Sequence, residues 1–271
     1  MFREARYRRL LAGVVAACFF LLFASTTLDK VAAQSAAPSI PALPRPQPGY
    51  VYPTSETLTY AVDWRVFPAG TAVLHVESAG NMERVIATAD SYGAVNLIYR
   101  VADKFQSSFD RTTGCSAGFS KQTIEGRRQV NTDLKFDYAQ GKARLDEKNL
   151  VTGTGKHQEA PLPSCVTDLL SATFFAASQP MRVGQSFQIP VGDAIHTVAV
   201  TLKAEGKEQV KTPSGTYQTI RVQPTADAGV VKARGEIWIW YTDDAKHTPV
   251  QMRARLFWGT ITFRLTSLES K

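Results

Sequence analysis

Alternation with a period of two is the dominant pattern of this chain. In Leu58-Thr59-Tyr60-Ala61-Val62-Asp63-Trp64-Arg65-Val66 the even positions are large and apolar, and the odd positions are small or charged. Successive side chains of an extended strand point to opposite faces, so this spacing predicts a strand with one buried face. The same reading applies to residues 134–138 and to Val198, Val200 and Leu202. It also applies to Met252, Ala254, Leu256 and Trp258 against Arg253 and Arg255, and to Ile261, Phe263 and Leu265 against Thr262 and Arg264. Ile237-Trp238-Ile239-Trp240-Tyr241 is apolar on both faces and predicts a central strand covered on each side.

Turn signals separate these runs: Pro68-Ala69-Gly70, Gln140-Gly141, Pro213-Ser214-Gly215, Asp243-Asp244 and Trp258-Gly259. Short turns join antiparallel neighbours, whereas parallel strands need long crossovers, and none is evident. About a dozen strands are expected from this spacing. One helix is predicted over residues 165–178, where Val166, Leu169, Leu170, Phe174 and Ala177 recur at helical spacing behind Ser164 or Thr167 as cap. Residues 94–100 predict a second short helical turn. The expected fold is all-β: one large antiparallel curled sheet, an open barrel or a sandwich, with one short packed helix, because large twisted sheets curl or split.

The N-terminus breaks the pattern. Arg6, Arg8 and Arg9 precede an uncharged stretch over residues 10–28, and Val31-Ala32-Ala33 supplies small residues before Gln34. Residues 1–33 therefore read as an export signal peptide. An uncleaved membrane anchor is the alternative, and a lipobox-like Val15-Ala16-Ala17-Cys18 is a third, weakened because the apolar run continues past Cys18. Residues 34–49 carry five prolines and read as a disordered tether, leaving residues 50–271 as a single β-rich domain. The expected address is the periplasm or cell envelope, with membrane association only through an uncleaved N-terminus.

Export changes the reading of charge and cysteine. Of the net +7, residues 1–33 supply five bases against two acids, which leaves 26 bases and 22 acids in the rest. Those bases are scattered, which argues against nucleic acid as a partner. Cys115 and Cys165 remain as a pair for an oxidising compartment and predict a disulfide, with two free buried thiols as the alternative. Oligomeric state is not legible.

The order of several short elements resembles the Domain of Unknown Function 3108 family of exported bacterial proteins. The matching residues are Leu58-Thr59-Tyr60-x-Val62-x-Trp64, Pro68-Ala69-Gly70-Thr71-Ala72, Val101-x-Asp103-Lys104-Phe105, Glu125-Gly126 and Phe136-Asp137. Further along are Asp168-Leu169-Leu170-Ser171-Ala172, Val183-Gly184, residues 212–217, Ile239-Trp240-x-Thr242-Asp243-Asp244, Thr248-Pro249-Val250 and Gly259-Thr260-Ile261. The resemblance implies an exported β-rich domain and carries over no catalytic residue.

Candidate chemistry is sparse. Gly114-Cys115-Ser116-Ala117-Gly118 matches the G-x-S-x-G elbow, but its flanks predict strand–turn–strand rather than the strand-to-helix turn an elbow needs. Gly153-Thr154-Gly155-Lys156 lacks the spacing of a phosphate loop. His75, His157, His196 and His247 are dispersed, so neither a metal site nor a cofactor is expected. Asp243-Asp244 reads as a hairpin turn. Aromatic residues carry the functional expectation. Tyr60, Trp64, Phe105, Trp238, Trp240 and Trp258, with Arg127 and Arg253, are candidate contacts for an apolar or amphiphilic ligand such as a lipid. Arg128 and Arg255 are neighbouring candidates for an anionic headgroup. The reading is a non-enzymatic envelope protein. Its alternative is an extracytoplasmic hydrolase of glycan or ester using Asp and Glu residues, among them Asp103, Glu125, Asp168 and Asp243.

Overall fold

The computed structural model describes residues 40–270 apart from 234 and 258. The proposed signal peptide, the first part of the proline-rich stretch and Trp258 lie outside the described residues. The described chain forms one sheet of 15 strands, more than the dozen expected. It begins with β1 (Ser55–Trp64), β2 (Phe67–Ala79), β3 (Met82–Ser91), β4 (Ala102–Asp110), β5 (Ser116–Glu125), β6 (Arg128–Asp137), β7 (Lys142–Asn149) and β8 (Gly155–Pro161). It continues through β9 (Thr167–Asp168), β10 (Ser186–Asp193), β11 (His196–Thr212), β12 (Gly215–Thr225), β13 (Glu236–Thr242), β14 (Pro249–Leu256) and β15 (Gly259–Ser270). Short helices α1 (Gly93–Ile98), α2 (Ser171–Ala177) and α3 (Gly229–Ala233) lie in three connections.

Strand order is β8 to β1, then β15 to β9, so the first and last strands pair and β8 and β9 form the open edges. Pairing is antiparallel throughout except for β9 with β10, where Val191 faces Thr167 and Gly192 faces Asp168. This corrects the expectation of a wholly antiparallel sheet. The segment from β9 through α2 to β10 is the long helical crossover that a parallel pair requires.

Alternation decides which side chains enter the core. Leu58 and Tyr60 on β1, Leu74 and Val76 on β2, Val85 on β3 and Leu265 on β15 are buried together with Phe109 and Phe174. A second cluster packs Phe175, Ala176 and Ala177 of α2 against Ile189, Val200, Ile220, Ile239 and Tyr241. In a third, Leu134, Phe136 and Leu145 of the β6–β7 wing meet Val166 and Ile195. The curl therefore overlaps itself: the β6–β7 wing lies on the β9–β10 edge. Gly192 marks the approach, because a Cβ there would fall 2.5 Å from Phe136 Cζ. A disulfide joins Cys115 to Cys165 across this overlap.

Two local expectations shift. The helix begins at Ser171, not near residue 165, because Val166 and Thr167 are taken up by the sheet edge and Asp168 collects the amides ahead of α2. The Pro68-Ala69-Gly70 turn signal lies inside β2, and the chain reverses instead at Arg65, whose φ is +57°. Gly70 is needed for a close approach: a Cβ there would meet the Asp90 carbonyl oxygen at 2.3 Å. From Ile40 onward the proline-rich stretch lies against the domain, where Gln47 N–H donates to the Ser178 carbonyl at 2.9 Å and Leu43 joins the second cluster.

Candidate functional site: an arginine–tryptophan groove

Period-two alternation on β12–β15 creates two different faces. Ile239, Met252 and Phe263 point into the core, and the intervening residues form cross-strand rows on the outer face. One row pairs Arg221 with Trp240, a second runs Trp238–Arg253–Thr262, and a third runs Glu236–Arg255–Thr260. Arg65, from the β1–β2 turn, and Glu205, at the β11 bulge, close the sides. The result is a groove of about 580 Å³, within the usual range for ligand sites.

Aromatic rings and guanidinium groups alternate in it. Arg253 Cζ lies 5.4 Å from the Trp240 ring centre, and Arg255 Cζ lies 5.8 Å from that of Trp238. Such contacts contribute roughly 0.5–1 kcal/mol at exposed sites. Trp240 is buried and forms the floor; its indole N–H donates to Glu208 Oε1 at 2.7 Å. Arg221 pairs with Glu205 at 2.9 Å and Glu208 at 3.2 Å, and Arg255 pairs with Glu236 at 2.7 Å. Among the described residues no carboxylate pairs with Arg253, which is exposed. Its charge is therefore the uncompensated one at the centre of the groove.

Of the sequence candidates, Trp238, Trp240 and Arg253 come together here, with Arg255 beside them. Tyr60 does not: it is fully buried and donates its hydroxyl to the Pro249 carbonyl at 2.6 Å. Phe105 lies on β4, stacked on Phe119 with ring centres 6.3 Å apart. Trp64 is 37% exposed beside the β1–β2 turn, and Arg127 is exposed in the β5–β6 turn. Arg65, Arg221, Glu205 and Glu208 were not anticipated. Strand pairing by alternation would have put Arg221 beside Trp240, but Glu205 depended on a bulge.

The acids lie elsewhere or are committed to structure. Asp168 is buried and accepts hydrogen bonds from Ser107 and Ser116 hydroxyls, both at 2.6 Å, and from the amides of Leu170 and Ser171. Ser116, the middle residue of the G-x-S-x-G match, is therefore a buried strand residue. Asp244 caps its own turn through the amides of Lys246 and His247, while Asp243 pairs with Lys207 at 2.6 Å. Burial raises Asp103, which accepts from Ile124 N–H. Glu83 is fully buried near one end of the curl; Ser78 donates to its Oε1 at 2.7 Å and Arg111 Nε lies 3.0 Å away. Burial also raises Glu83 above the ordinary carboxyl value, against the opposing effects of Ser78 and Arg111. Tyr52, packed edge-on against Phe109, is pushed up to about 12, chiefly by burial. Among the described residues no group of three His, Cys, Asp or Glu could hold a metal ion.

A family model described as "Protein of unknown function (DUF3108)" matches residues 59–266, and the chain belongs to that family. No curated protein matches it. A crystal structure of a β-barrel-like protein of domain of unknown function DUF1849 from Brucella abortus is similar, at 12% identity and a TM-score of 0.59. That match covers 82% of this chain and 99% of the other. It shows the barrel-like fold and nothing further. Weaker likenesses are a Bacteroides fragilis protein described as having a YmcC-like fold (9% identity, TM-score 0.37, covering 82% of this chain and 99% of that one) and a Parabacteroides distasonis protein described as a lipoprotein (9%, 0.35, 80% and 97%).

Proposed function

We propose that this is an exported, non-catalytic cell-envelope protein that binds an anionic amphiphile in the outer groove of β12–β15. The single observation that carries this reading is the uncompensated Arg253 set between Trp238 and Trp240 in a groove of about 580 Å³. The guanidinium group of Arg253 takes the negative group, and the half-buried indole of Trp238 takes the apolar or planar part, over a floor made by Trp240. The interior of the curl is filled by Leu58, Tyr60, Phe109 and Phe174, which leaves the outer groove as the surface for a ligand. Export is supported by the charged and apolar segments of residues 1–33 and by the cysteine pair.

The test is native mass spectrometry and lipid extraction of the protein recovered from its own compartment, followed by titration of tryptophan fluorescence with anionic and zwitterionic lysolipids. The expected result is saturable binding that prefers the anionic lysolipid and weakens at least about tenfold, or 1.4 kcal/mol, in Arg253→Gln and Trp238→Ala. Equal affinity in those variants, or no binding, refutes the assignment.

A further inference from the structure

Because strand direction alternates, the β1–β2, β3–β4, β5–β6, β7–β8 and β14–β15 connections all emerge at one end of the curl. Backbone hydrogen bonds join them into one rim. Arg65 N–H donates to Thr260 O, Tyr92 N–H to Ala69 O, Gly126 N–H to Arg100 O and Leu150 N–H to Gln129 O. Most of the large hydrophobic side chains exposed among the described residues lie on this rim. Val66 is 82% exposed, Phe67 61%, Leu97 89%, Ile98 84%, Val151 63% and Phe257 73%. Helix α1 buries none of its residues. The turns at the opposite end are polar, as in Gly80-Asn81, Asp110-Arg111-Thr112-Thr113 and Asp243-Asp244.

We propose that this rim docks on an anionic phospholipid bilayer, with the apolar turn tips entering the headgroup region. Exposed apolar side chains in water are a standing cost that an interfacial environment relieves. Charge favours a bilayer over a protein or a second copy: Arg65, Arg100, Arg127 and Arg128 stand on these turns against Glu125, which lies 3.7 Å from Arg128, and Asp90 at the end of β3. The β10–β11 and β12–β13 connections at the same end add Asp193, Asp227 and Lys232. A row of apolar tips with basic flanks suits a wide negative surface. It supplies a membrane contact separate from the N-terminal segment, and it borders the groove, sharing Arg65 with it.

Co-sedimentation with vesicles tests this, using the full chain and the compact unit that begins at Ile40. The vesicles are phosphatidylcholine alone, or with about a third phosphatidylglycerol to supply the negative surface. Preferential binding of both proteins to the anionic vesicles, weakened by salt, is expected. The variant Val66→Ser/Phe67→Ser/Leu97→Ser/Ile98→Ser and the variant Arg127→Glu/Arg128→Glu should each lower binding at least about tenfold. Their thermal unfolding should be unchanged because these positions are exposed. Trp238→Ala/Arg253→Gln should bind vesicles as the parent does. Three results overturn the proposal: no preference of the compact unit for anionic vesicles, binding retained by both rim variants, or binding lost only in the groove variant. Self-association abolished by the rim variants, without vesicle binding, also overturns it in favour of a second copy.

Discussion

Replacing Asp168 by alanine should loosen the overlap of the curl and not any reaction. Its carboxylate is buried and makes four hydrogen bonds: two from hydroxyls, at 2.6 Å, and two from the amides of Leu170 and Ser171, at 2.8 and 2.9 Å. Ser171 returns the favour by accepting from Asp168 N–H at 2.9 Å, a reciprocal arrangement of the capping-box kind. Alanine strands the Ser107 hydroxyl and the two amides, while the Ser116 hydroxyl can turn to the Ser108 and Gly118 carbonyls. Each buried polar group left unsatisfied costs about 1–3 kcal/mol, partly offset by no longer burying a charge. With up to about 1–3 kcal/mol for each of the three donors left without an acceptor, less that offset, about 3–5 kcal/mol is the expected loss for Asp168→Ala. Against a total stability of roughly 5–15 kcal/mol, the variant should melt far earlier. Asp168→Asn keeps the shape, and its amide can donate to hydroxyls that rotate to accept, so about 1–2 kcal/mol is expected. Urea unfolding at neutral pH measures these values. A double-mutant cycle of Asp168→Ala with Ser107→Ala should show a coupling above ~0.5 kcal/mol. A loss below ~1 kcal/mol for Asp168→Ala, or no coupling, would refute the assignment of Asp168 as the lock between β4, β5 and the β9 edge.

Two further outcomes follow from the core. Removing the Cys115–Cys165 bridge, which spans 50 residues, should cost about 4 kcal/mol in the chain-entropy description. Urea unfolding of Cys115→Ala/Cys165→Ala beside the parent measures it, and a difference under ~1 kcal/mol contradicts that account. Glu83→Gln tests the buried carboxyl. With its pKa raised above 4.5 in the folded chain, the folded state holds more protons than the unfolded one above that pH. Stability therefore falls as pH rises from 4.5 through the raised value. The glutamine variant should gain on the parent over that interval in melting temperature; a gap independent of pH would be contrary evidence.

Strands β1, β6, β11, β13, β14 and β15 were readable from side-chain spacing, whereas β3, β7, β8, β10 and β12 were not picked out by it. Leu58 and Tyr60 face the core as their alternation requires, and Trp240 and Tyr241 are buried on opposite faces of β13. The cysteine pair and the resemblance to the family were also legible, since both depend on residue identity and order. The helical periodicity near residue 165 misled because Val166 is buried in the overlap rather than on a helix. A local pattern records that a residue is buried, not which partner buries it.

Strand alternation by itself determined that this chain builds a sheet with an apolar interior face, and that β13 is covered on its outer face as well. Which outer residues become neighbours was decided only by the closure of β15 on β1, the bulge at Glu205 and the overlap of the two edges. Arg65, Glu205 and Arg253 are far apart in sequence and share a groove because register places them there. The exposed tips at Phe67, Leu97 and Phe257 likewise form one rim because antiparallel strands return their alternate turns to the same end. Both surfaces arise from long-range pairing, which no window of local sequence contains.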